Sequence, residues 1–192
     1  MKQDIILAGV GGQGILSIAF VIDNAALADG LAFKQAEVHG MAQRGGAVQS
    51  HLRLSDGTIW SDLIPKGEAD LILSVEPLEA LRYMDHLRPD GVIVTSSTPY
   101  KNIPDYPDVG KVLEAVRRAP KSVVVDAEAL AKEAGTAKAQ NIVLLGAAAP
   151  VLMLKEASLL ATIDSLFRGR GLPILEANLK AFALGKKAAL GS

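Results

Sequence analysis

The feature that most constrains this chain is the run over residues 4–29. It holds an apolar strand (Ile5-Ile6-Leu7-Ala8), a glycine loop (Gly9-Val10-Gly11-Gly12-Gln13-Gly14) and a long apolar helix. The glycines keep the G-x-G-x-x-G spacing of a strand-to-helix turn. Glycine serves three ends in such a turn: a sharp reversal, close approach of an anion or a neighbouring backbone, and tight docking of helix on strand. Free N–H groups at the start of the helix, with the helix dipole behind them, favour a phosphate or carboxylate. The same glycines equally serve a purely structural docking of helix on strand. Either way the unit predicts an α/β fold.

A dinucleotide fingerprint also carries an acidic residue about 20 positions on, at the end of the second strand. Asp29 falls before the second strand, expected over residues 31–38, and Glu37 near its end comes too late. The turn therefore reads as structural or anion-binding more than as a NAD site.

A chain of 192 residues suits one domain, residues 1–192, with a helical part from about 141 to 192. Its composition is 49% apolar but only 4% aromatic, the aliphatic core of buried parallel strands covered by helices. A net charge of -1 with 21% charged residues argues against a nucleic-acid surface. Mean hydropathy of +0.27 favours a large partner interface. The absence of cysteine excludes disulfides, a thiol nucleophile and cysteine-ligated zinc or iron–sulfur clusters in this chain. Three dispersed histidines argue against a metal site. Residues 5–22 approach the length of a membrane span, but four glycines and Gln13 interrupt them and Asp4 and Asp23 flank them. No membrane partner is expected. With no signal-peptide pattern at the start, the expected location is cytoplasmic.

The helix over residues 14–28 is apolar on nearly every face, so it lies deep or a partner covers its outer side. Residues 39–46 form a dense polar and glycine-rich loop, and residues 47–54 alternate as a strand. Asp56-Gly57 followed by Thr58-Ile59-Trp60-Ser61 predicts a β-hairpin. Strands follow at 70–75, 91–95 and 122–125, with helices at 77–87, 109–119, 127–133, 141–154, 156–167 and 175–190. The expected fold is α/β: a mostly parallel open sheet with helices on both faces, Rossmann-like, with an inserted β-hairpin.

Such sheets bind ligands outside the carboxyl ends of their strands. The candidates there are Gly9, Gly11, Gly12, Gln13 and Gly14, then His39, Gln43, Arg44, Gly45 and Gly46, then Ser74 to Glu76, Ser96 to Thr98 and Asp126. Arg44 offers a planar, permanently charged fork for carboxylate or phosphate, or a salt bridge to Glu37 or Glu76. His51 reads as a hydrogen-bonded structural residue and Asp126 as a helix N-cap. No nucleophile–base pair stands at convincing spacing, so no catalytic residue is assigned.

The glycine turn, the run Glu37-Val38-His39-Gly40-Met41-Ala42-Gln43-Arg44-Gly45-Gly46, the following Ser50-His51-Leu52-Arg53, and Ala69-Asp70-Leu71-Ile72-Leu73 running into Glu76-Pro77-Leu78-Glu79-Ala80 resemble the 2-oxoacid:ferredoxin oxidoreductase family. The likeness is to its gamma-type subunit or domain, and most closely to the small (beta) subunit of its indolepyruvate members. It covers most of the chain. The resemblance implies an accessory subunit that packs on a large catalytic (alpha) subunit carrying thiamine diphosphate and iron–sulfur clusters, with coenzyme A and ferredoxin serving the complex and no cofactor held by this chain alone. The glycine turn and the Gln43-Arg44-Gly45-Gly46 loop would face that partner or coenzyme A. A charge placed at Ile18 would then abolish partner binding. Two rivals stand beside this: a free-standing nucleotide-binding oxidoreductase and a scaffold that binds only protein.

Overall fold

The computed structural model describes residues 1–39 and 45–191. Its central strand is β1 (Lys2–Val10), buried on both faces from Gln3 onward. The chain continues through α1 (Ile15–Ala28), β2 (Ala32–His39), β3 (Ala47–Ser55), β4 (Ala69–Ser74), α2 (Pro77–Arg82), β5 (Leu87–Ser96), α3 (Val109–Arg117) and β6 (Lys121–Val125). It ends in four helices, α4 (Ala127–Ala134), α5 (Gln140–Ala148), α6 (Glu156–Arg168) and α7 (Leu172–Leu190).

The strands form one open sheet in the order β2-β3-β1-β4-β5-β6. β4 pairs parallel with β1, β5 with β4, and β6 with β5. β3 runs antiparallel to both β1 and β2. Five of the six strands therefore point the same way, and the mostly parallel α/β expectation holds.

The hairpin exists, but between other strands than expected. Residues 47–54 pair with β2, Val38 lying opposite Gln49 and Ala32 opposite Ser55, and residues 58–61 form no strand. The reason is Arg53. Its Nη1 donates to the carbonyls of Ser61 and Leu63, at 3.2 and 3.1 Å, and holds that segment as a loop with Trp60 exposed.

The two sides of the sheet are covered unequally. Ile5, Leu7, Leu52, Leu71 and Val94 face a large core built with α1, α4, α5, α6 and α7. Ile6, Ile72 and Ile93 face a smaller one with α2, α3 and Ile64. In the large core, α5 and α7 meet backbone to backbone. A Cβ on Gly146 would lie 2.1 Å from the Phe182 carbonyl oxygen, and one on Gly185 would lie 1.9 Å from that of Val143.

α1 does not present Ile18 outward. Ile18 is 1% exposed and packs in the large core, while Leu16, Phe20 and Leu27 face out. A charge at Ile18 would thus attack folding, not an interface, because a helix apolar on every side gives no clue to its outer face.

At the amino end of the sheet the charges close on one another. Asp4 is wholly buried and accepts a two-pronged pair from Arg53, Nε to Oδ1 at 2.8 Å and Nη2 to Oδ2 at 3.0 Å. Its backbone N–H donates to Asp70 Oδ2 at 2.7 Å, and Asp70 in turn pairs with Arg88.

Candidate functional site

From β1, α1 carries the chain out to β2 on one side. From β4 the chain moves through β5 to β6 on the other. The carboxyl ends of β1 and β4 thus flank a topological switch point, where open sheets of this kind form their ligand crevice. The glycine turn lies at that point.

The turn is held by backbone. Gly11 N–H donates to the Gly46 carbonyl at 2.8 Å, and Gly45 N–H donates to the Gly11 carbonyl at 3.2 Å. The two glycine-rich segments singled out in the sequence, far apart along the chain, are therefore stitched to each other. Asn102 Nδ2 donates to the Gly45 carbonyl at 2.7 Å and fixes the second segment from the far side. Gln13 folds back so that its Oε1 accepts from Val10 N–H at 2.7 Å, so that oxygen serves the turn. A Cβ on Gly9 would lie 2.7 Å from the Ile15 side chain, so glycine there admits the helix. Gly14 caps α1 in the left-handed region at φ 80°, with Asn141 Nδ2 donating to its carbonyl at 3.1 Å. Among the described residues no side chain caps α1, and no acidic residue stands in its first turn. His39 ends β2 with its backbone opposite Val48. Gln43 and Arg44 lie outside the described residues.

Two hollows open beside the turn. One, of about 430 Å³, is apolar in character, lined by Val10, Gly11, Gly12, Ile15, Leu16 and Val48. The other, of about 820 Å³, lies between the turn and the C-terminal helices and brings Thr136, Lys138, Asn141, Arg170 and Asn178 to Gly12 and Gln13. Arg170 stacks over Phe167, 5.3 Å from the ring centroid. Two cations, side-chain amides and an uncapped helix start suit an anionic group. Sequence reasoning missed Lys138, Asn141 and Arg170, because they come from separate segments with no pattern in common.

The other polar groups at the carboxyl ends have structural work. Glu76 accepts from Glu79 N–H at 2.9 Å, from Tyr100 N–H at 3.3 Å and from the Tyr106 hydroxyl, pinning the proline-rich loop over residues 97–108. Burial and this carboxylate push the Tyr106 hydroxyl well above the usual range. Ser96 Oγ accepts from Thr98 N–H at 3.0 Å, and Asp126 caps α4, accepting from Ala129 N–H at 2.9 Å. His51 Nδ1 accepts from Ile64 N–H at 3.0 Å, and burial, with His86 and Arg53 nearby, holds the ring below its ordinary pKa. His51 and Asp126 are structural, as expected. Asp29 accepts from Lys155 N–H and from Ser158 Oγ, at 2.7 and 2.6 Å. It lies beyond α1, roughly 20 Å from the turn at about 1.5 Å per residue, so it cannot serve a ligand seated there.

A family model described as pyruvate ferredoxin/flavodoxin oxidoreductase matches residues 4–188. The chain belongs to this oxidoreductase family. It is 36% identical to indolepyruvate oxidoreductase subunit IorB of Thermococcus kodakarensis, over 98% of this chain and 97% of that one. It is 35% identical to the subunit of the same name in Methanothermobacter thermautotrophicus, over the full length of both. Among solved structures, its fold is similar to the gamma subunit of a keto/oxoacid ferredoxin oxidoreductase from Geobacter sulfurreducens, with a TM-score of 0.73 at 24% identity over 99% of each chain. It is also similar to part of the 2-oxoglutarate:ferredoxin oxidoreductase of Magnetococcus marinus, with a TM-score of 0.80 at 22% identity. That match takes in all of this chain but 31% of the other, whose structure holds 2-oxoglutarate, coenzyme A and succinyl-CoA. No helix among the described residues is long and apolar enough to cross a membrane.

Proposed function

We propose that this chain is the small (beta) subunit of an indolepyruvate or related aryl-pyruvate:ferredoxin oxidoreductase. The observation that carries this reading is the full-length similarity to relatives named as indolepyruvate oxidoreductase subunits, at 36% identity. In the complex a large (alpha) subunit would carry thiamine diphosphate and iron–sulfur clusters, which supply oxidative decarboxylation of the 2-oxoacid and electron transfer to ferredoxin, the acyl group passing to coenzyme A. The lack of cysteine here agrees with that division of labour. All of residues 1–192 would act as one gamma-type domain in the cytoplasm.

The site residues would support rather than perform the chemistry. Gly9, Gly11, Gly12, Gln13 and Gly14, stitched to Gly45 and Gly46, form a rigid edge that faces the large subunit, and His39, Gln43 and Arg44 are assigned to the same partner. In the larger hollow, Lys138 and Arg170 fit the phosphates of coenzyme A, and their part is to bind and orient.

The test is to purify the tagged chain from native extract. Recovery of a large cysteine-rich, thiamine-dependent partner, with 2-oxoacid-dependent dye reduction, supports the subunit reading. Recovery of the chain alone with a bound nucleotide supports a free-standing oxidoreductase instead, and the chain with unrelated proteins and no such activity supports a scaffold.

A further inference from the structure

The loop over residues 97–108 runs between two fixed roots at the carboxyl end of the sheet. Ser97 N–H donates to the Val125 carbonyl at 2.8 Å, and Asp108 caps α3, accepting from Lys111 N–H at 3.0 Å. Between them Lys101, Ile103, Pro104, Asp105 and Pro107 are exposed, so the loop adds little to either core. It is nonetheless tied to a buried carboxylate. Glu76 Oε1 accepts from Tyr100 N–H at 3.3 Å and from the Tyr106 hydroxyl, while Oε2 caps α2. Burying a carboxylate is costly unless hydrogen bonds answer it, so the loop and Glu76 hold each other in one place. Burial and Glu76 keep the Tyr106 hydroxyl well above its ordinary pKa, so it stays a donor.

From that anchor the loop reaches the glycine edge. Asn102 N–H donates to the Tyr100 carbonyl at 2.8 Å, and Asn102 Nδ2 donates to the Gly45 carbonyl at 2.7 Å. That carbonyl belongs to the peptide between Gly45 and Gly46. The peptides on either side of it carry the stitches to the turn, Gly45 N–H to the Gly11 carbonyl and Gly11 N–H to the Gly46 carbonyl. Gly45 lies at φ 80°, and neither glycine has a side chain to limit rotation. Asn102 fixes the middle peptide from outside. Pro99, Pro104 and Pro107 stiffen the loop, so its placement at Glu76 is carried to Asn102 instead of being absorbed on the way.

We propose that Glu76 and Asn102 are positioning residues for the glycine edge assigned to the large subunit. Glu76 places the loop, and Asn102 carries that placement to the Gly45–Gly46 peptide and so to the glycine turn. This rests on the subunit reading above. Tyr100, in the same loop, also lines the larger hollow, so that wall and the glycine edge are set together.

The experiment measures amide hydrogen exchange at Gly11 and Gly45 in the free full-length chain, and the dissociation constant of the purified large subunit, for wild type, Asn102→Ala and Tyr106→Phe. Asn102→Ala should speed exchange at both amides by at least about fivefold, the equivalent of one hydrogen bond. It should weaken binding by more than about threefold, while the thermal midpoint falls by no more than about 4 °C. Tyr106→Phe takes away no bond to Gly45, so faster exchange there, in smaller degree, is the signature of placement carried through the loop. Exchange at Gly45 unchanged in Tyr106→Phe overturns the role of Glu76, and exchange unchanged in Asn102→Ala overturns the whole inference. Faster exchange with binding still within threefold of wild type shows that the large subunit does not rest on this edge, and overturns the inference while the subunit reading stands. A wild-type chain that binds no large subunit overturns the subunit reading, and this inference with it.

Discussion

The two ends of the central strand are built on opposite plans. At its amino end, Asp4 is sealed by Arg53 and bonded through its backbone to Asp70, which Arg88 holds in turn, so every charge named there is answered from within the chain. At its carboxyl end the Gly9–Gly14 turn is held by backbone bonds to Gly45 and Gly46, and α1 begins there with no side-chain cap among the described residues. Charge answered internally makes a clasp. Backbone held internally, with hollows on both sides, makes a surface still open to something else.

That difference is sharpest when each end is broken. Arg53→Ala strips the buried carboxylate of Asp4 of its two-pronged partner, leaving it only the half-exposed Lys2 ammonium at 3.0 Å, and frees the carbonyls of Ser61 and Leu63. The expected loss is about 3–5 kcal/mol of unfolding free energy, read by chemical denaturation. A loss under about 1 kcal/mol would show the clasp to be ornamental and the two ends to be alike.

Gly14→Ala breaks the other end. Its left-handed backbone costs about 1–2 kcal/mol in any residue with a Cβ. That Cβ would also stand 2.6 Å from Asn141 Nδ2, displacing the amide that bonds the Gly14 carbonyl. Together these should lower stability by about 2–3 kcal/mol, less than at the clasp. Binding of the large subunit should fall further than stability does, since the turn would shift on the face assigned to it. Equal losses in both would make the turn a packing device only.

What the sequence made legible follows from range. The β1–turn–α1 unit announced itself because strand, glycines and helix are contiguous, and the cap at Asp126 is decided within three residues. The hairpin was misplaced because Asp56-Gly57 is a strong local signal, while the actual pairing of β2 with β3 spans the 39–46 loop and depends on β3 fitting beside β1. Alternation fixed which face each residue of β3 takes but not its neighbour. The outer face of α1 was illegible because every side of it is apolar, and the cleft cations Lys138 and Arg170 are assembled from distant segments. Gly146 and Gly185, lone glycines in apolar helices, gave no hint that two backbones touch there.

The flank of α1 carries the contrast to Asp23, whose Oδ1 is buried with no hydrogen-bond partner among the described residues. Asp23 titrates at about 7 in the folded chain against an ordinary 3.8. The folded state therefore holds a proton that the unfolded state has lost, and stability falls as pH rises from about 4 to about 7. Above that window the whole penalty is present, at most about 4 kcal/mol and about 2 once the site relaxes. Asp23→Asn should remove this slope, raising the thermal midpoint at pH about 8 and changing little at pH about 4. A variant with the wild-type pH profile would mean that Asp23 is answered in the free chain after all, as Asp4 is.

The smallest expected effect tests whether a polar group at the carboxyl end must be functional by virtue of its place. Asp126 stands where open sheets bind ligands, yet its Oδ1 accepts from Ala129 N–H at 2.9 Å and the Thr98 hydroxyl approaches the same oxygen at only 3.4 Å. A carboxylate at an N-cap satisfies an otherwise unpaired donor and favours the positive end of the helix, and its loss costs about 1 kcal/mol. Asp126→Ala should therefore lower stability by about that amount and leave 2-oxoacid-dependent activity of the assembled complex unchanged. Asp126→Asn, which retains a capping oxygen, should recover most of the stability. Should Asp126→Asn keep the stability but lose the activity, the carboxylate would be serving a ligand as well as the helix. The open end of the sheet would then extend from the glycine turn across β5 to β6.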